Sequence, residues 1–132
     1  MNLRTALQYI DTELGALGYS KDSRTDTAAA PRSKVYRITW NGFAPALTTI
    51  NASSLCEVGH ELELVLHLPK SGGNPQETTI ELAEAAEEAI NRVLNIHSLY
   101  ADPIISFEGA ASFIDGPTLK VGLPFNLSYK RS

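Results

Sequence analysis

The sequence predicts an α+β domain: a mostly antiparallel sheet covered on one face by two helices. Two segments carry apolar residues at helical spacing, and the stretches between and after them alternate with period two. The alternating segments come in adjacent runs instead of each being followed by a helix, which favours antiparallel pairing over βαβ units. With 132 residues, 43% hydrophobic and 20% charged, the chain makes a single domain, 1–132, that can bury a core without staples. There are no internal repeats.

The first helix is expected from about Leu3 to Leu17, because Leu3, Leu7, Ile10, Leu14 and Leu17 recur at spacings of three and four. Asn2 is placed to cap it, and Gly18 to end it. Such a stripe covers a sheet. Residues 19–34 have mixed charges, three alanines and Pro31, and read as a long exposed loop, the first place to look for a contact surface. From Lys34 the period becomes two: Tyr36, Ile38 and Trp40 alternate with Arg37 and Thr39. Asn41-Gly42 suits a tight hairpin turn, with Phe43–Ile50 as the returning strand, weakened at Pro45.

A polar stretch, Asn51–Ser54, precedes the strongest strand, Glu61–Leu68, whose leucines take every second place. Cys56 and His60 read as loop leading into it. Lys70-Ser71-Gly72-Gly73 breaks the strand. Asn74, Pro75 and Glu77 then give three agreeing helix-start signals, for a helix running from about Pro75 to His97. Leu82, Ala86, Ile90, Val93 and Leu94 form its buried stripe, and glutamates cover much of the rest. Ile104–Phe107, Phe113-Ile114 and a long strand through Leu119, Val121, Leu123, Phe125, Leu127 and Tyr129 complete the sheet. Asp115-Gly116-Pro117 supplies the turn, and Pro124 predicts that the last strand lies at an edge or is bulged.

Chemistry-bearing residues do not assemble into a motif. One cysteine excludes an internal disulfide and any cysteine-based zinc cluster. His60-Glu61 lacks the second histidine of a zincin, and Cys56 and His60 lie four apart in a segment not read as helix. His67 alternates with glutamates on the polar side of its strand, and His97 suits the dipole at a helix end. The acidic row Glu77, Glu81, Glu84, Glu87 and Glu88 reads as a solvated face, and Gly72-Gly73 lacks the lysine and hydroxyl of a P-loop. No enzyme and no cofactor are expected. A net charge of -4 argues against a whole-domain nucleic-acid footprint. Arg24, Arg32, Lys34 and Arg37 make one weak basic cluster. No apolar run reaches the length of a membrane helix, and the start has no signal core, so a soluble protein of the cytoplasmic type is expected.

The layout as a whole carries a resemblance. A short N-terminal helix, a long loop and a strand pair lead to a strand ending in His67-Leu68-Pro69. A long acidic helix and a terminal hairpin finishing in Asn126-Leu127-Ser128-Tyr129 follow. At this length, that order resembles the tail-terminator, or tail-completion, proteins of long-tailed bacteriophages. The resemblance spans essentially the full chain and rests on layout rather than on a diagnostic motif. It implies a structural virion protein of the tail or neck, made in the host cytoplasm. Copies would form a hexameric ring that caps the tail tube, ends its polymerisation and provides the head-joining surface. Its partners would be itself, the tail tube protein and a head-completion or connector protein, with DNA passing through without specific binding and no membrane contact. Another neck protein (a head–tail connector or minor tail component) or a non-viral small-ligand or protein-binding module are the alternatives. Ring contacts are expected from the 19–34 loop, the 51–59 loop and the outer face of the 61–68 strand. The interface candidates are Asp22, Arg24, Arg32, Arg37, Glu61, Glu63 and His67.

Overall fold

The computed structural model describes residues 1–24, 30–44, 49–50, 55–69, 73–108, 112–114 and 119–130, with backbone alone at 49–50, 55–56 and 112–114. Pro45, Asn51–Ser54, Lys70–Gly72 and Asp115-Gly116-Pro117 lie outside the described residues, as does 25–29 of the expected loop.

Helix α1 spans Leu3–Ala16 and is capped as its sequence demands: the Asn2 side chain accepts from the Thr5 N–H at 2.8 Å. At its other end Gly18 has φ of +91°, Gly18 N–H bonds Gly15 O, and Tyr19 N–H bonds Leu14 O. That is a Schellman ending, which needs a left-handed residue where glycine stands. Ala6, Ile10 and Leu14 are fully buried. The chain then forms β1 (Ser20–Lys21), a two-residue strand parallel to β2 (Val35–Phe43). The expected 19–34 loop therefore begins as a sheet edge.

β2 does not turn at Asn41-Gly42. It runs on to Phe43 opposite His60 of β4, and the register skips Asn41, which makes a bulge. Gly42 takes φ of +120° there. Asn-Gly favours positive φ wherever it falls. Here the long partner strand offers pairing through to Phe43, so that preference is spent on a bulge instead of a hairpin. Of the expected returning strand, Phe43 belongs to β2, and among the described residues Thr49–Ile50 form β3, which pairs with β4.

β4 (Leu55–Leu68) is fourteen residues long, so Cys56 and His60 lie in strand and not in loop. It is flanked by β2 and by β7 (Leu119–Lys130). β5 (Ile104–Phe107) and β6 (Ser112–Ile114) share the far side of β7, giving the order β1-β2-β4-β7-β5 with β3 and β6 alongside. Among the described strands only the β1–β2 pair is parallel. β7 is thus an interior strand, and its register with β4 runs through Pro124 without a shift, so neither the edge nor the bulge that Pro124 suggested is found. The proline is accommodated by where it points. The Pro124 carbonyl accepts from Glu108 N–H at 3.1 Å, and the nitrogen of an extended residue faces the same way as its carbonyl. Its missing N–H therefore lies on the outer side, between the end of the β6 register at Gly122 and the start of the β5 register at Phe125.

Leu62, Leu64, Leu66 and Leu68 of β4 stand opposite Phe125, Leu123, Val121 and Leu119 of β7, all buried on one face. Helix α2 (Pro75–Leu94) packs on that face beside α1. Asn74 caps it through Glu77 N–H at 2.9 Å, with Pro75 in its first turn. Thr78, Leu82, Ala86, Ala89 and Val93 are buried, while Ile90 and Leu94 sit at the margin. The helix does not continue to His97: the chain turns at Asn95 and α3 (Ile96–Leu99) follows. The turn re-aims Ile96 so that it is completely buried. Each fully buried leucine contributes about 1.5–3 kcal/mol of transfer free energy, so this single layer carries most of the stability.

Candidate interaction surface

The two faces of the sheet differ in chemistry. On the face away from the helices lie Arg37, Thr39, Glu61, Glu63, Val65, His67, Lys120 and Gly122, by the alternation that puts the leucines on the other side. His67 stands opposite Val35 on β2 and Lys120 on β7. It is only 2% exposed, because the segment after β1 folds over it. Arg24 there pairs with Asp22 through Nε at 2.9 Å and through Nη2 at 3.0 Å. The same Nη2 lies 2.6 Å from His67 Nδ1. An arginine only donates, so Nδ1 accepts and the ring is neutral, with its proton on Nε2. That Nε2 is buried with no hydrogen-bond partner. Burial, followed by the charges of Arg24 and Lys120, pushes the His67 pKa down to about 4. Asp22 moves the other way for a carboxylate with a partner: the Arg24 hydrogen bonds hold it at about 2, against the opposing effect of burial.

The seven candidates thus separate. Asp22, Arg24 and His67 form one internally bonded stack. Arg37 and Glu61 are exposed on the same face, and Arg32 is exposed at the entry to β2. Glu63 is half-buried, with its carboxylate lying over Gly122, where an added Cβ would come within 3.3 Å of Oε2. The fold brings Arg37 towards the Asp22–Arg24–His67 stack and leaves Arg32 and Glu61 separate from it. Asp22 and Arg24, expected from the sequence to lie at an interface, have internal partners.

Four aromatic side chains that sequence reading did not group meet at one end of the helix-side face. Trp40 Nε1–H donates to His60 Nδ1 at 3.1 Å, and His60 Nε2 lies 3.0 Å from the Tyr129 hydroxyl. The Phe43 ring is 5.4 Å from both the Trp40 and the His60 ring. His60 and Tyr129 are buried, yet Trp40 is 51% and Phe43 56% exposed. The helices stop short of this end, so residues with core parity reach solvent there. Burial lowers the pKa of His60, which keeps the ring neutral and able to accept from Trp40. Extending the leucine alternation backwards from Leu62 through His60 to Val58 is the one sequence signal that places His60 on this face. Nothing in the sequence pairs it with Tyr129.

At the opposite edge, His97 Nε2 accepts from the backbone N–H of Ile105 at 3.1 Å. Its ring is thus turned to the β5 edge, where it accepts a backbone hydrogen bond. Among the described residues no group of three His, Cys, Asp or Glu side chains is placed to hold a metal ion, and no helix is long and apolar enough to cross a membrane. The chain matches no protein-family model, and no curated protein matches it.

Proposed function

We propose that this protein is a structural virion subunit of the tail-terminator type, forming a ring that caps a phage tail tube, ends its polymerisation and offers a surface to the head. The observation that carries an assembly role is the aromatic end of the sheet. Trp40 and Phe43 are both more than half exposed, yet Trp40 is held by a hydrogen bond to a buried histidine. A large apolar side chain already immobilised before contact loses little entropy on docking, which is what protein-binding anchors require. Loose solvent-facing aromatics lack this support.

The architecture is compatible with closure into a ring. A head-to-tail ring needs two unlike patches on each subunit. The sheet presents unlike ends: β1 and β2 at one, and β5 beside α3 at the other. In this reading the chain is a component and not an enzyme, its partners are its own copies, the tube protein and a head-side connector, and it resides in the tail or neck of the virion. DNA passes through it without specific binding.

The test is assembly. Purified protein is mixed with phage tail tubes and imaged by negative stain. Rings at tube ends and arrested tube growth are expected. Trp40→Ala should weaken capping by at least tenfold while leaving the circular dichroism spectrum unchanged. Tubes that stay uncapped and keep growing in excess wild-type protein would refute the reading.

A further inference from the structure

We propose that neighbouring copies join through their sheets: the outer edge of β2 in one subunit pairs antiparallel with the β5 edge of the next. The inference rests on the ring reading above and specifies its subunit contact.

Among the described residues, nothing pairs with the outer edge of β2 over a short window beyond β1. Ser20 N–H bonds Lys34 O and Asp22 N–H bonds Tyr36 O, so even-numbered residues of this stretch face outward. β1 then ends. The next outward groups belong to Ile38 and Trp40, and among the described strands only β1 and β4 border β2. The bulge at Asn41 closes the window. An uncovered strand edge of this kind is a template for another strand.

The β5 edge fits that window in direction, face and polarity. β2 and β7 run one way and β4 and β5 the other, so a rotation that preserves strand direction sets β5 antiparallel to β2. On β5, Glu108 N–H points inward to Pro124 O, whereas Ile105 N–H points outward to His97. Odd residues therefore face the outer edge, and Ile38 must oppose an odd partner to exchange hydrogen bonds. The helix-side parity of Ile38 and Trp40 is shared by Ile105 and Phe107, which stand opposite Leu127 and Phe125 of β7.

Both requirements are met by setting Ile38 against Phe107 and Trp40 against Ile105. Thr39 then faces Ser106, and exposed Arg37 faces exposed Glu108 on the other side of the sheet. Moving the register two residues the other way puts Trp40 against Pro103, which has no N–H to give. Pairing turns His97 away from Ile105 N–H, so that four backbone bonds form, two at Ile38–Phe107 and two at Trp40–Ile105, in place of one side-chain bond.

A cavity of about 290 Å³ lies where the partner's side chain would arrive. Leu7, Asp11, Lys21, Tyr36 and Ile38 line it, between α1 and the end of β1. Phe107 is half-buried, leaning on Phe125 at 5.2 Å, and offers its remaining face to this cavity of the neighbour.

Disulfide trapping tests the contact. In a Cys56→Ala background, Thr39→Cys and Ser106→Cys are made as two separate proteins, both at exposed positions. They are mixed and oxidised, with and without tail tubes. A mixed T39C–S106C dimer is expected to form at least tenfold faster than either homodimer. Arg37→Glu and Glu108→Lys should each slow trapping by about threefold or more, and the double variant should restore it, which a folding defect would not do. Rings of wild-type protein with no mixed dimer, or T39C homodimers alone, would overturn the contact and leave the ring standing. Wild-type protein that neither forms rings nor caps tubes would overturn both.

Discussion

Replacing Arg24 by alanine gives the most informative perturbation, because one side chain supports two buried groups. The Asp22 side chain is 3% exposed and that of Arg24 26%. Asp22 has its carboxyl lowered from 3.8 to about 2, chiefly by the Arg24 hydrogen bonds. A difference of that size corresponds to at most ~2.5 kcal/mol at about 1.36 kcal/mol per unit. The guanidinium reaches water, and screening reduces the expected value to ~1–2 kcal/mol. A depressed carboxyl contributes stability that is fully present above its unfolded pKa of 3.8 and is lost as pH falls through about 2. Urea denaturation at pH 7 should therefore show Arg24→Ala less stable by ~1–2 kcal/mol plus whatever Arg24's other contacts supply. At pH 2 the gap should narrow, since Asp22 is then about half protonated in the wild type and almost fully protonated in the variant. His67 adds to the narrowing, because once protonated it repels Arg24 in the wild type. Carbon-detected NMR of the carboxyl should place Asp22 above 3.8 in the variant, where burial is no longer opposed. A stability gap equal at both pH values, with Asp22 still titrating near 2, would show that Arg24 does not hold this carboxylate.

Two further outcomes follow from the geometry. The single tryptophan reports on His60: as pH falls below 6.5 towards the lowered His60 pKa, a proton on Nδ1 displaces the Trp40 N–H, so Trp40 fluorescence should shift with a midpoint below 6.5. The sign follows because a neutral buried histidine favours the fold above its unfolded pKa and opposes it on acidification; His60→Ala should abolish the transition, and its persistence would assign it elsewhere. At the bulge, Gly42 has φ of +120° with open space around an added Cβ, so Gly42→Ala should cost ~1–2 kcal/mol in urea melts from backbone strain alone, and an unchanged midpoint would mean that the bulge relaxes freely.

The two amphipathic helices were legible because their signals are local. Asn2, Gly18, Asn74 and Pro75 sit where the unpaired backbone groups of helix ends need them, and each performs that role in the fold. Leucine alternation in 61–68 likewise settled which side of β4 is core. The errors share one cause. Asn41-Gly42, the Cys56–His60 segment and Pro124 were read by local preference, and each is overruled by a strand drawn from elsewhere in the chain.

The candidate surface was the least legible part. His60 and Tyr129 are 69 residues apart, and Arg24 and His67 are 43 apart, so no spacing along the chain could announce either meeting. Sequence by itself determined the two long helices, their N-caps, the core face of β4 and the α+β class, because helix ends and strand faces are set by neighbouring residues. Tertiary structure alone decided that β7 lies inside the sheet, that Trp40 escapes the core despite its parity, and which edges stay open. Those outcomes depend on how far each strand finds partners and where the helices stop, and neither length is encoded within the segment that experiences it.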